Sequence, residues 1–205
     1  MTTMLSTATC KLVGVTRTYH HGNLRTALLE AAERTLADGG ELSLRELARK
    51  VGVSHGAPRR HFADKQALLD ALAEEGFARL GRALDEAVAS ASSFDARLLA
   101  FARTYVGFAV SHAALLDLMF AGKQASPSLH DASERAFAGP RAAIGDAQAA
   151  GEVVPGTEEE VATVVFAALQ GLAGMVRGGL LDPDVLDATV PAIVERLLLG
   201  LRPRA

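Results

Sequence analysis

From Asn23 onward, apolar side chains return every three or four positions. Leu24, Leu28, Ala31 and Thr35 share one face, with Ala27, Ala32 and Leu36 beside them, and this predicts a helix. Asn23 is placed to cap it, and Gly39-Gly40 to end it. The run SLRE at 43–46 then reads as a capping box, Ser43 opening a short helix and Glu46 reaching back to it. Leu44, Leu47 and Ala48 give that helix, 43–50, its buried face, and Gly52 stops it. Ser54 is predicted to cap a second short helix, 54–60, with Pro58 near its first turn. Asp64 caps a fourth, carrying Leu69, Leu72, Ala73 and Leu80 at helical spacing.

The remainder predicts long helices broken by punctuation. Ser92-Ser93 precedes a helix of about 95–112, followed by a shorter one over 113–120, a loop at 122–127 and a helix of about 128–150. After a second loop at 151–156, Thr157 and Glu160 repeat the capping-box pattern and open an apolar helix to about Arg177, closed by Gly178-Gly179. Asp182-Pro183 starts the last helix, and Pro191 inside it is expected to kink it. Residues 1–21 are Thr-rich and aperiodic and read as a flexible arm. The fold class is therefore all-α, with three parts: the arm at 1–21, a small domain at 22–75 and a larger helical domain at 76–205.

Composition narrows this. Of 205 residues, 49% are apolar, enough for a sizeable core. Cys10 is the single cysteine, so neither a disulfide framework nor a cysteine zinc site is available. His20-His21 lacks further ligands at a fitting spacing, and no metal is expected. No uncharged apolar run approaches the ~18 residues of a membrane span, and the start lacks the layout of a signal peptide, so a soluble cytoplasmic protein with no membrane partner is expected. A Gly-rich phosphate loop, a GxSxG elbow and an HExxH pair are absent, which leaves no catalytic residue, no cofactor and no enzyme to propose. The net charge of −3 divides unevenly, as +4 over residues 1–62 and −7 over 63–205. A polyanionic partner would meet the first part only.

The two short helices at 43–50 and 54–60, joined at Gly52, make a helix-turn-helix whose second helix enters a DNA major groove. The candidate DNA contacts are Ser43, Arg45, Ser54, His55, Gly56, Arg59, Arg60, His61 and Lys65. The arginines and histidines donate to base edges or phosphates, Gly56 lets the duplex approach, and Lys65 and the capped helix starts meet the sugar-phosphate backbone. Arg17, Tyr19 and His20 form either an arm reaching a groove or phosphates, or a plain tail.

The run from YHHGNLRTALLEAAERTLADGG through LSLRELARKVGVSHGAPRRHFADKQALLDAL resembles the DNA-binding domain of TetR/AcrR transcriptional regulators over about residues 19–75. The first-helix pattern, the capping box, the Gly-Val-Ser turn, the His-Phe pair and the DKxxLL start agree in order and spacing. The resemblance implies an all-helical homodimer on a palindromic double-stranded operator, usually a repressor released by a small-molecule effector. Arg59 departs from the family, which usually has an aromatic there. The segments 105–120 and 166–176 resemble a ligand-domain subfamily more loosely, with Phe166 and Gln170-Gly171 where a Trp and a His-Gly pair are typical. By the same resemblance, the helices of about 157–177 and 183–199 build a four-helix dimer interface. Val161, Val164, Val165, Ala168, Leu172, Val190, Ile193, Val194 and Leu197 exceed what one small core would need to bury, and Gly171 and Gly174 permit close approach. Phe101, Tyr105, Phe108, His112, Met119, Phe120, Phe137, Gln170 and Met175 are the candidate effector-pocket residues. A DNA-binding regulator that answers to a protein partner without a pocket, or an activator, is the alternative.

Overall fold

The computed structural model describes residues 21–122 and 126–203, with the backbone alone at 21–23. The predicted arm, including Arg17, Tyr19 and His20, lies outside the described residues. Among those described there are nine α-helices, two 3-10 turns and no strand. The helices are α1 (His21–Ala37), α2 (Leu44–Val51), α3 (Lys65–Ala89), α4 (Phe94–Ser111), α5 (Ala113–Gly122), α6 (Pro127–Ala136), α7 (Ala138–Ala149), α8 (Glu158–Arg177) and α9 (Leu186–Leu201).

α3 organises the molecule. It is capped by Asp64, whose carboxylate accepts the Ala67 N–H at 2.8 Å, and runs 25 residues from the first two helices into the larger body. It packs against α1, α4, α5, α6 and α7, so residues 75 and 76 lie within one unbroken element. Leu68, Leu72, Phe77, Leu80 and Leu84 give it a buried stripe, and two glycines let neighbours come close. A Cβ at Gly81 would stand 2.9 Å from the Ala136 Cα, so only hydrogen fits between α3 and α6 there. The buried apolar residues form one cluster from Leu24 to Leu201.

Several boundaries differ from the sequence expectation. α1 starts at His21, so Asn23 lies inside it rather than capping it. The N–H groups of an added first turn can face water, and the first buried side chain, Leu24, needs no cap directly before it. The predicted helix of 128–150 is two helices meeting at Phe137, where φ is −105° and ψ is 6°. Pro140 explains the break, since it has no N–H to offer the Ala136 carbonyl and fits only in the first turn of a new helix. The last helix starts as a 3-10 turn at Pro183–Val185 after Asp182, which accepts the Asp184 N–H at 3.0 Å, and α9 then runs on through Pro191.

α8 corrects the expectation about apolar length. It is long and apolar enough to cross a membrane by length and composition, with mean hydropathy 1.4, because Val161–Val176 carries no charge. It lays Val161, Val165, Leu169 and Leu172 into the core and leaves Val164 and Met175, with small residues such as Gly171 and Gly174, outside. α4 and α5 meet at a 101° corner at His112.

Candidate nucleic-acid interface and interior cavity

The helix-turn-helix region rests on a small apolar scaffold of Leu42, Leu47, Ala48, Pro58 and Phe62, all buried. Lys50 Nζ donates to Thr35 Oγ1 at 2.7 Å and fastens α2 to α1, and the Arg25 guanidinium lies 5.7 Å from the Phe62 ring centroid. α2 ends as the sequence indicates. Gly52 adopts the left-handed conformation, φ 79°, with its N–H on the Arg49 carbonyl at 3.2 Å and the Val53 N–H on that of Ala48 at 2.9 Å.

The second helix predicted for 54–60 does not form. Residues 55–57 are a turn, and Pro58–Arg60 is one turn of 3-10 helix. The cause is Pro58. An α-helix from Ser54 would need an N–H at position 58 to reach the Ser54 carbonyl, and proline has none. That carbonyl takes the Ala57 N–H at 3.0 Å instead, and the Ala57 and Pro58 carbonyls take those of Arg60 and His61. The SLRE capping box is also absent. Ser43 occupies the N-cap position but accepts no side-chain hydrogen bond from the helix, and Glu46 turns to Arg49, whose Nε lies 3.2 Å away. That pairing holds the Glu46 carboxyl below its ordinary value and raises Arg49.

The candidate contacts all fall within residues 43–65, where exposed positions alternate with buried ones. Ser43, Arg45, Ser54, His55, Gly56, Arg59, Arg60 and Lys65 are exposed, and His61 is half-buried beside Phe62. Arg45, Arg59, Arg60 and Lys65 form no ion pair among the described residues. Gly56 has neither a left-handed backbone nor any atom within 4 Å of where a Cβ would stand. Nothing inside the protomer requires a glycine there.

The larger body holds a cavity of about 250 Å³ between α3, α4, α5, α6, α7 and α8, open to solvent beside the exposed Glu159 and Thr163. Its wall is mostly aromatic, with Phe94, Phe101, Phe120, Phe137 and Phe166 contributing, and Arg97, Arg141, Glu134, Glu159 and Ser133 supply polar groups. Three of the nine predicted pocket residues line it: Phe101, Phe120 and Phe137. Tyr105 and Gln170 form the layer behind. The fully buried Tyr105 ring packs on Phe101, Phe137 and Phe166, and its hydroxyl donates to Gln170 Oε1 at 2.5 Å. Burial pushes that phenol well above its ordinary value.

The other four lie elsewhere. Phe108 and His112 pair at the α4–α5 corner, Met119 is buried against Gly76, and Met175 is exposed on α8. His112 Nδ1 stands 3.4 Å from Glu33 of α1, which also pairs through both oxygens with Arg79 of α3 at 2.8 and 3.0 Å. Phe94, Arg97, Ser133 and Arg141 are cavity residues that the sequence reasoning misses. Ser133 carries a signal: it is the polar residue among Leu129, Ala132 and Ala136 on the buried face of α6.

Two family models match the chain. Residues 28–72 match bacterial regulatory proteins of the tetR family, and residues 98–201 match the tetracyclin repressor-like C-terminal domain. Among curated proteins, none matches the chain. A solved structure of a protein with unknown function from Rhodococcus sp. RHA1 is similar, 44% identical over 91% of this chain and 100% of that one, with a TM-score of 0.84. A TetR family transcription regulator from Marinobacter aquaeolei VT8 shares the fold at 18% identity, covering 88% of this chain and 96% of that one, TM-score 0.74. So does the transcriptional regulator FadR from Bacillus subtilis, solved in complex with stearoyl-CoA, at 15% identity over 86% of this chain and 99% of that one, TM-score 0.70. With both halves matched in order on an all-helical frame, the chain belongs to the TetR family of DNA-binding transcriptional regulators, which are not enzymes.

Proposed function

We propose that the protein is a homodimeric repressor that a small molecule lifts from a palindromic operator. The observation that carries this reading is the joining of two features by one continuous core: exposed cations, Arg45, Arg59, Arg60 and Lys65, with no ion pair among the described residues, and an aromatic-walled cavity. The turn at 54–60 enters the major groove. His55 and Arg59 face base edges, where an arginine bidentate to guanine is worth about 1–3 kcal/mol of discrimination. Ser43, Arg45, Ser54, Arg60, His61 and Lys65 hold the sugar-phosphate backbone on either side. The duplex itself supplies the reason for Gly56, because a side chain there would stand between protein and DNA.

Dimerisation through α8 and α9 is supported by what those helices leave outside. Val164 is 53% exposed, Met175 42% and Leu199 62%. Gly171, Gly174 and Gly200 have open space at the Cβ position and no left-handed backbone, so the protomer does not need them small. A second copy packed there would bury the apolar side chains and use the glycines for close approach. The coupling runs through the α4–α5 corner. A ligand that displaces Phe101 or Phe120 moves that corner, and the Glu33 contacts to His112 and Arg79 pass the movement to α1 and the reader. Such a regulator works where the DNA is, in the cytoplasm.

The test is operator selection: the purified full chain against a random duplex library, sequenced after binding at moderate salt. An enriched palindrome is expected, bound by two copies, and it becomes the probe for release by candidate effectors. Enrichment of a single half-site bound by one copy would overturn the dimeric reading. If no compound that occupies the cavity releases the palindrome, the effector part falls.

A further inference from the structure

The cavity has a chemistry more specific than its aromatic wall. On the reading of it as the effector site, we infer that its ligand is a small monocyclic aromatic carboxylic acid, with the carboxylate held by Arg97 and Ser133 and the ring by the phenylalanines.

Size comes first. Binding pockets for drug-sized ligands run from about 300 to 1,000 Å³, and a dry cavity of about 150 Å³ takes one benzene. By that scale, the 250 Å³ here holds about ten non-hydrogen atoms. A ring with a short acidic side chain fills it. Shape agrees with size. Phe137 and Phe166 meet edge to face, 5.6 Å apart at 85°, and Phe120 and Phe166 lie 5.8 Å apart at 52°, an array that presents both faces and edges to another ring.

The polar groups then divide into those already occupied and those free. Arg141 is occupied: one Nη donates to the Glu134 backbone carbonyl at 3.0 Å and lies 2.6 Å from the Glu134 carboxylate. Glu159 is exposed and makes no ion pair among the described residues. Arg97 is different. Its Nε is anchored on the Ala91 carbonyl at 3.2 Å, while neither Nη makes a hydrogen bond among the described residues, and the nearest carboxylate, the exposed Asp146, stands 4.0 Å away. A guanidinium fixed at one end with its fork open fits a planar carboxylate.

Ser133 supplies the second, independent sign. It is 1% exposed, it lines the cavity, and its Oγ has no hydrogen-bond partner. Serines inside helices commonly satisfy themselves on the carbonyl four residues back, and this one does not. A buried hydroxyl left unpaired destabilises the fold, and because this one has almost no surface open to the cavity, a ligand carboxylate oxygen would satisfy it only by displacing part of the wall. With Arg141 paired to Glu134, Arg97 is the open cation of the wall, and the carboxylate of Glu159 at its exposed edge weighs further against a phosphate dianion than against a monoanion.

Titration calorimetry on the full chain with phenylacetate and phenylacetamide tests this, since the two probes share shape and differ in charge. Phenylacetate is expected to bind, and the amide to bind about ten-fold more weakly or worse. Arg97→Met keeps the aliphatic stem and should erase the preference, and Ser133→Ala should weaken the acid several-fold, with melting curves showing that both variants are folded. If Arg97→Met fails to fold, Arg97→Lys keeps the charge without the fork and should lose most of the preference. Equal affinities for acid and amide, no binding of either, or a preference that survives at Arg97→Met each overturn the inference. The operator assay separates the two readings. Release of DNA by a neutral or larger compound occupying the cavity, with phenylacetate inert, sinks the acid and leaves the repressor standing. Arg97-dependent binding of phenylacetate without release of DNA does the reverse.

Discussion

The reader and the cavity are built by opposite rules. Around α2 and the 54–60 turn, the proposed function lies in what stays outside: four cations with no ion pair among the described residues, and a glycine, on a thin scaffold. In the larger body, the proposed function lies in what is turned inward, and the wall is assembled from side chains as far apart as Phe94 and Phe166. The contrast teaches that a DNA face can be altered one residue at a time at little cost to folding. A cavity shares its residues with the core, so changing its specificity also changes stability.

That contrast can be broken by measurement, first in stability. Leu47 is fully buried in the thin scaffold, and Leu47→Ala is expected to cost about 2–5 kcal/mol in urea unfolding. Phe166→Ala removes a larger side chain but one that is half-buried and faces the cavity, so a smaller loss, about 1–2 kcal/mol, is expected. The reverse order would mean that the cavity wall, not the reader scaffold, is the tightly packed region. Two glycines sharpen the point within α3. Gly81→Ala drives a Cβ against the Ala136 backbone and should destabilise by about 1–3 kcal/mol. Gly76→Ala meets the movable Met119 sulfur, and the better helix propensity of alanine, worth about 1 kcal/mol, should leave it near neutral.

Next comes the DNA face. Arg59→Ala should weaken operator binding by about 1–3 kcal/mol and relax the preference at one base pair, with an unchanged melting temperature. Lys65→Ala should weaken all sequences alike and lower the salt slope by about 1. A uniform loss at Arg59 would make it a phosphate contact.

How much of the molecule is legible in the sequence divides along the same line. Leu24, Leu28, Leu47 and Leu72 announce their helices because helical spacing is a local property, and the Gly52 turn is readable because φ > 0 is a glycine signal. The absent helix at 54–60 is misread for a local reason as well: Pro58 sits where the Ser54 carbonyl needs an N–H, one position too late to be harmless. The cavity cannot be read in that way. Phe101, Phe120 and Phe137 stand out as aromatics and Met119 and His112 by the same logic, yet only the packing of six helices decides which of them face a void. Arg97 looks from sequence like any surface arginine, and its open fork appears only once Ala91 and Asp146 are placed around it.

Tyr105 joins the two kinds of information. Tyr105→Phe removes the hydrogen bond to Gln170 and should cost about 1 kcal/mol at neutral pH. Because burial raises the phenol, the folded chain keeps it neutral where the unfolded chain ionises it, above a pH of about 10. Stability is therefore fully present below that pH and lost as pH rises beyond it toward the folded value, and the phenylalanine variant should lack this share of the alkaline decline. A parallel decline in both proteins would mean that the phenol is hydrated.

The smallest expected effect separates the two regions most cleanly. Both SLRE at 43–46 and TEEE at 157–160 read as capping boxes, and only the second forms: Thr157 Oγ1 accepts the Glu160 N–H at 3.2 Å while Glu160 accepts that of Thr157 at 3.0 Å. Thr157→Ala should therefore cost about 1 kcal/mol. Ser43→Ala removes no helix-capping bond and should leave the melting temperature where it is, while weakening operator binding if its hydroxyl meets a phosphate. A sequence pattern that stabilises α8 in the body is thus left open in the reader, where Glu46 has gone to Arg49 and the Ser43 hydroxyl stays available to the DNA. A loss of stability at Ser43→Ala equal to that at Thr157→Ala would mean that the free protein closes both boxes and that the reader must open one to bind.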